Sequence, residues 1–276
     1  MPNAPVSPVF FMHLLRAMRA VVGREINKFL RQPSRLASAL VRPLLWFVVF
    51  SAGFHNVFGV SIVPPYETYV TYQVYMVPGL LGMVALFNGM QSSLSMVYDR
   101  EMGVMRLLLT APLPRGWLLA FKLMGGTSLS LLQMLVFLLI ALAFGVELSW
   151  ENLPLLLLAM VAGATLLAAV GLMLSVYIKQ LENFAGTMNF VIFPMFFISP
   201  ALYPLWKLDE SGAWWLLMLA QWNPFTHVVE ALRFAMYGQV NALSWTVVVV
   251  SATVFFCLAW WGYDPQRGWI KQRGAA

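Results

Sequence analysis

Few side chains in this 276-residue sequence are placed to do chemistry. His13, His55 and His227 lie far apart with no acidic or thiol neighbours at ligand spacing, so no metal centre is expected. The single cysteine, Cys257, sits inside an apolar run, which excludes an intrachain disulfide and reads as a small core residue. No G-x-x-x-x-G-K-S/T loop is present to cradle nucleotide phosphates. Nor is there an aspartate-rich cluster, or a serine or cysteine with a base and an orienting acid, so the chain is not expected to be an enzyme. What stands out is Tyr98–Gly116, YDREMGVMRLLLTAPLPRG, a charged and proline-punctuated break between two apolar runs. Asp99, Arg100, Glu101 and Arg106 would be costly in hydrocarbon. Met102, Val104, Met105, Leu107, Leu108 and Leu109 make the same stretch too apolar for a solvated loop. Its chemistry is recognition: a short amphipathic element at a membrane surface packs against something.

The elements that position this stretch follow from composition. Hydrophobic residues make up 61% of the chain and charged residues 10%, whereas a soluble domain carries roughly 25% charged residues. This is the composition of a polytopic all-α membrane protein. A span needs about 20 apolar residues, and the sequence accommodates six spans with short connections as a single transmembrane unit over residues 1–276. The net charge of +6 is explained by topology, and no nucleic-acid partner is expected.

Taken in order, residues 10–31 form an amphipathic interfacial helix. Phe11, Leu15, Met18, Val22, Ile26 and Phe29 make an apolar stripe, and Arg16, Arg19, Arg24, Lys28 and Arg31 back it, as in a helix lying beside anionic headgroups. Span one, 36–58, carries Arg42 near its start, where a long side chain can snorkel. Its Trp46, Phe50, Phe54 and Phe58 recur every four residues, an aromatic stripe that packs on a neighbour or lines a substrate path. Span two, 72–97, has a polar face of Asn88, Gln91, Ser92 and Ser95, suited to interhelical hydrogen bonds or to substrate. Spans three to five cover 117–145, 152–177 and 184–205, the last interrupted by Pro194 and Pro200. Residues 206–243 hold helical pieces too short or too charged to span, with Trp214, Trp215 and Trp222 suited to a membrane face. They read as outer re-entrant helices before span six, 244–263.

Charge orients this arrangement. With six spans, all of the 17 Lys and Arg residues except Lys207 and Arg233 fall on the side that holds both termini and the 98–116 connection. The acids are nearly evenly divided, so the asymmetry is in Lys and Arg, as the positive-inside rule requires. Both termini and the charged stretch are therefore expected in the cytoplasm.

The order of several motifs on these spans resembles the permease subunits of type-2 ABC transporters, the group of drug-resistance, nodulation-factor and polysaccharide exporters. They are Arg24-Glu25 and Arg31-Gln32-Pro33 in the first helix, VPGL at Val77–Leu80, REMGVMRLLLTAPLP at Arg100–Pro114, and WNPFTHVVEALRF at Trp222–Phe234. The resemblance implies that the 98–116 element is a coupling helix docking into a groove on a separate ATPase, with Arg100, Glu101, Gly103, Met105, Leu108, Pro112 and Pro114 at the contact. Glu25 of the first helix would lie nearby. Apolar anchors in a groove with flanking charges suit such a contact. It further implies an outer gate matching Asn223, Pro224 and Arg233; the spacing by itself makes Glu230 and Arg233 a local i,i+3 pair that offsets charge. Two permeases, expected to be a homodimer, and two ATPases would make the working unit in a bacterial inner membrane. ATP and Mg would be bound by the partner, with no cofactor in this chain. An ATPase-independent channel or secondary transporter is the alternative, and it would favour buried titratable residues that the sequence does not display.

Overall fold

A computed structural model describes residues 8–31, 33–53, 59–60, 64–66, 70–103, 115–178 and 180–263. The architecture is helical. Helix α1 (Pro8–Leu30) leads into α2 (Pro33–Gly53), and Pro33 opens α2 at a position whose missing N–H no helical carbonyl needs. A two-residue antiparallel ladder follows, β1 (Gly59–Val60) with β2 (Val70–Thr71), Gly59 opposite Thr71. This ladder has no counterpart in the all-helical expectation. The chain continues as α3 (Tyr72–Glu101), α4 (Arg115–Ala143), a 3-10 turn at Trp150–Asn152, α5 (Leu153–Tyr177) and α6 (Leu181–Phe197). It closes with α7 (Leu205–Glu210), α8 (Trp214–Trp222), α9 (Pro224–Met236) and α10 (Ala242–Gly262).

The periodicity read from residues 10–31 is realised in α1. Leu15, Met18, Val22 and Ile26 are half-buried, while Arg16, Arg19, Arg24 and Asn27 are exposed. The apolar side lies against α4.

Helices α3 and α5 form the centre. α3 packs on α5, α4, α2, α9 and α6, and α5 also holds α10, α4 and α9. Tyr75, Met76, Val77, Leu80, Leu81, Leu86 and Met90 of α3 are fully buried, as are Leu166, Leu167 and Ala169 of α5. Lipid tails are as apolar as leucine, so close van der Waals approach must hold such helices together. Small residues supply it. A Cβ on Gly89 would lie 2.8 Å from the Leu167 carbonyl oxygen, and one on Gly171 would lie 2.7 Å from the Gly89 carbonyl oxygen.

Among the described residues, α3, Gly116–Ala143 of α4, Trp150–Tyr177 and α10 are long and apolar enough to cross a membrane. The stretch read as span five is shorter here. Residues 54–58 lie outside the described residues, and Leu40–Gly53 is the apolar part of α2. α6 runs unbroken through Pro194 but stops at Phe197, where Ser199 turns its hydroxyl to the Phe196 carbonyl at 2.6 Å ahead of Pro200. Two further boundaries differ. α3 continues to Glu101, so the charged stretch begins as the last turn of a long helix, and Arg115-Gly116 already belong to α4. Gly103 adopts a left-handed φ of 72° just past the α3 end, a conformation glycine takes without a Cβ clash.

Gly89→Ala is expected to push α3 and α5 apart and to destabilise the bundle by about 1–3 kcal/mol. Thermal unfolding in detergent checks this, with the exposed Gly186→Ala, which meets no atom within 4 Å, as the control.

Candidate functional site

At its charged end, α3 is tied to four other helices by charged side chains. The Lys122 ammonium of α4 donates to Asp99 at 2.9 Å and to Glu25 of α1 at 3.2 Å. The Lys122 and Asp99 side chains are 7% and 4% exposed, and Glu25 is 12% exposed. Removing such ions from water costs several kcal/mol each, which only close mutual pairing offsets. Arg24, 46% exposed, adds a looser 3.7 Å contact to Asp99 that contributes little.

The next two residues engage helix ends. Arg100 donates to the Ser175 carbonyl at 3.1 Å and approaches that of Ile178 at 3.5 Å, placing a cation at the α5 C-terminus. Glu101 accepts the Leu181 N–H at 2.8 Å, placing a carboxylate at the α6 N-terminus. Three consecutive residues, Asp99, Arg100 and Glu101, thus clasp α1, α4, α5 and α6 where the chain leaves α3 for residues 104–114. Arg100 and Glu101, expected to face a partner, make these contacts within the chain. Met105, Leu108, Pro112 and Pro114 lie outside the described residues.

Three of the four residues of the polar face of α3 hydrogen-bond within the chain. Asn88 donates to Gln133 of α4, and both are buried. Ser92 returns its hydroxyl to the Gly89 carbonyl at 3.0 Å, and Ser95 to that of Ser92 at 2.6 Å. Ser92 also lines a small cleft with Ser93 and Lys122. Gln91 is exposed. Trp46 and Phe50 stack at 5.0 Å, and Trp46 meets Phe196 and Phe197 of α6 edge-on at 6.0 Å, so this aromatic stripe packs on a neighbouring helix. Phe54 and Phe58 lie outside the described residues.

The opposite end is stapled to α3 by side chains that bond the turn after α6. Arg233, 4% exposed, pairs with Glu230, donates to the Pro200 carbonyl at 2.6 Å and lies 4.3 Å from the Tyr75 ring centroid. Tyr75 and Tyr72 donate to the Pro200 and Leu202 carbonyls at 3.0 and 2.8 Å. The i,i+3 pair thus also anchors a turn. Asn223 donates to the Met195 and Ile198 carbonyls, both at 2.7 Å, and accepts the Phe225 N–H at 3.0 Å, capping α9 ahead of Pro224. In the adjacent loop, burial pushes the Tyr66 phenol up to about 12, an effect the Arg233 charge partly offsets. It stays neutral across the physiological range.

Among the described residues no group of histidine, cysteine or acidic side chains is arranged to hold a metal ion. The ionic clasp itself is not in the sequence reading, where Lys122 is only a charge on one side and Asp99 belongs to the partner-facing stretch. The signal was present in Lys122, a cation seven residues into an apolar helix that needs a counterion.

The structure is a multi-pass helical membrane bundle with ions clasped at one end of its central helix. The sequence model described as ABC-2 type transporter matches residues 16–237, and the chain belongs to that family. Among relatives, the inner membrane transport permease YadH of Escherichia coli K12 is 24% identical, with 93% of this chain and 98% of YadH covered. The ycf38 protein of Pyropia yezoensis, named as a transport permease, is 26% identical, with 86% and 79% covered. The daunorubicin resistance ABC transporter permease protein DrrB1 of Streptomyces coeruleorubidus is 25% identical, with 86% and 77% covered.

Lys122→Met is expected to strand two buried carboxylates and to cost about 3 kcal/mol or more, while adding Asp99→Asn recovers much of the loss. Chemical denaturation of the two variants beside wild type checks this. Asn223→Ala frees two carbonyls at the α6 end and uncaps α9, with an expected cost of about 1–3 kcal/mol by the same assay.

Proposed function

We propose that this chain is the transmembrane permease subunit of an ATP-driven exporter that moves an amphiphilic substrate (a drug-like molecule, glycolipid or polysaccharide) across a bacterial inner membrane. The unit contains two permease copies, as a homodimer, and two copies of a separate ATPase that binds ATP and Mg. Each permease has six spans with both termini and residues 98–116 in the cytoplasm, α2 and α6 serving as the first and fifth. The names of YadH and DrrB1 support an inner-membrane location and a drug-like cargo.

One observation carries the reading. The residue next to the 104–114 segment on its amino-terminal side is Gly103, and the three residues that end α3 before Met102 grip α1, α4, α5 and α6. Force applied at that segment is delivered to four helices together. ATP, by favouring the closed ATPase pair, would draw the segment inward and re-aim the cavity between the permeases. In this chain the coupling residues transmit work and catalyse nothing.

The test is reconstitution with the proposed partner ATPase. Leu108→Ala is expected to weaken retention of the ATPase about tenfold, as an apolar anchor in a groove would. Glu101→Ala is expected to keep ATP hydrolysis while lowering transport per ATP. A tagged chain that never retains an ATPase, or that transports at full rate without ATP, would contradict the proposal and favour a channel or secondary transporter.

A further inference from the structure

Arg42 of α2 packs on α3. Its guanidinium lies 4.0 Å from the Phe87 ring centroid on α3, and the side chain is exposed. Phe87 is three turns inward from Asp99, roughly 18 Å along the helix at about 1.5 Å per residue. Half-way along the 30-residue α3, a helix long and apolar enough to cross a membrane, the cation requires a counterion or water. Beyond this ring it has no hydrogen bond or ion pair to any described residue.

Among the described residues, the helices at that depth bring no acid. α2, α4, α5 and α10 contain none. Asp99 and Glu101 are at the end of α3, and Glu182 is in the first turn of α6, about 16 Å from Phe193, the ring that meets Phe87 edge-on at 6.5 Å. Glu230 is paired with Arg233. A second copy carries the same described helices, which are equally without an acid at this position along the helix. A bilayer phospholipid does not fit, because its phosphate stays at the interface, about 15 Å from the midplane of a hydrocarbon core about 30 Å thick. Gln91, one turn along α3 from Phe87, and Asn189, one turn along α6 from Phe193, are both exposed and add hydrogen-bonding capacity to neighbouring turns.

The geometry points to Arg42 as the residue that recognises the anionic group, a phosphate or carboxylate, of an amphiphilic cargo in transit across this α2–α3–α6 face. This rests on the exporter reading and names its substrate class. Charge complementarity sets the preference, the aromatic rings accommodate the tail, and the guanidinium offers planar bidentate donors.

The test is equilibrium binding of radiolabelled dodecyl phosphate and dodecyl glucoside to the full chain in phosphatidylcholine nanodiscs. Wild type is expected to bind the phosphate about tenfold tighter or more, as a charged hydrogen bond would give. Arg42→Gln is expected to bring the two ligands to within about twofold without changing glucoside binding, and Arg42→Lys to retain part of the preference. An unchanged preference in Arg42→Gln overturns the proposal. So does loss of dodecyl phosphate binding when phosphatidylglycerol replaces the nanodisc lipid, which would assign the arginine to bilayer lipid. The assay needs no ATPase, so a chain that binds anions but never couples to ATP would fail the exporter reading and not this site.

Discussion

A lysine ammonium between two carboxylates, all largely out of water, is stable only while the three groups keep their distances. Lys122, Asp99 and Glu25 meet that condition from three helices. Moving any one of those helices alone would leave an ion desolvated and unpaired, at a cost of several kcal/mol. The cluster therefore acts as a mechanical constraint: α1, α3 and α4 move together at this end or the structure loses much of its stability. Arg100 and Glu101 extend the constraint to the adjoining ends of α5 and α6 through helix-terminal hydrogen bonds, which are individually weaker and easier to exchange.

At the other end α3 is held differently. There the anchors are neutral or singly charged groups bonding backbone carbonyls: Tyr72, Tyr75, Arg233 and Asn223 around the Met195–Leu202 turn. Between the two ends, α3 and α5 are in backbone contact around Gly89 and Gly171, so the central pair behaves as one rod. A rod gripped by ions at one end and by a turn at the other can carry a displacement along its length. Conversion of that displacement into transport requires two arrangements of the bundle that ATP favours unequally.

The helices were legible in the sequence where periodicity or uninterrupted apolarity was strong. The two faces of α1, the long apolar runs of α3 to α5, and the break before Pro224 are local properties, and local propensity suffices for them. The short strand ladder was not legible, since two-residue pairing near Pro64-Pro65 leaves no period to read. The continuation of α3 through Tyr98–Glu101 is not a local property: charge by itself marks the end of a span, whereas these charges find partners and the helix persists. The clasp was legible only as unplaced charges. Glu25 and Lys122 are 97 residues apart, and their meeting depends on how α1 lies on α4. Arg42 illustrates the same point: its position suggested snorkelling, and only the packing of α2 on α3 put its charge on Phe87.

The central claim is that the clasp travels as one body when the partner ATPase binds ATP. Pulsed spin–spin distances in the reconstituted complex, on a Cys257→Ser background, test it most directly. Labels at the exposed Met102 and Met124 report within the clasp, and labels at the exposed Trp222 of two copies report across the opposite end. The account predicts an unchanged Met102–Met124 distance with and without ATP, together with a shift of the Trp222–Trp222 distance. A change within the clasp while the opposite ends stay fixed would contradict it.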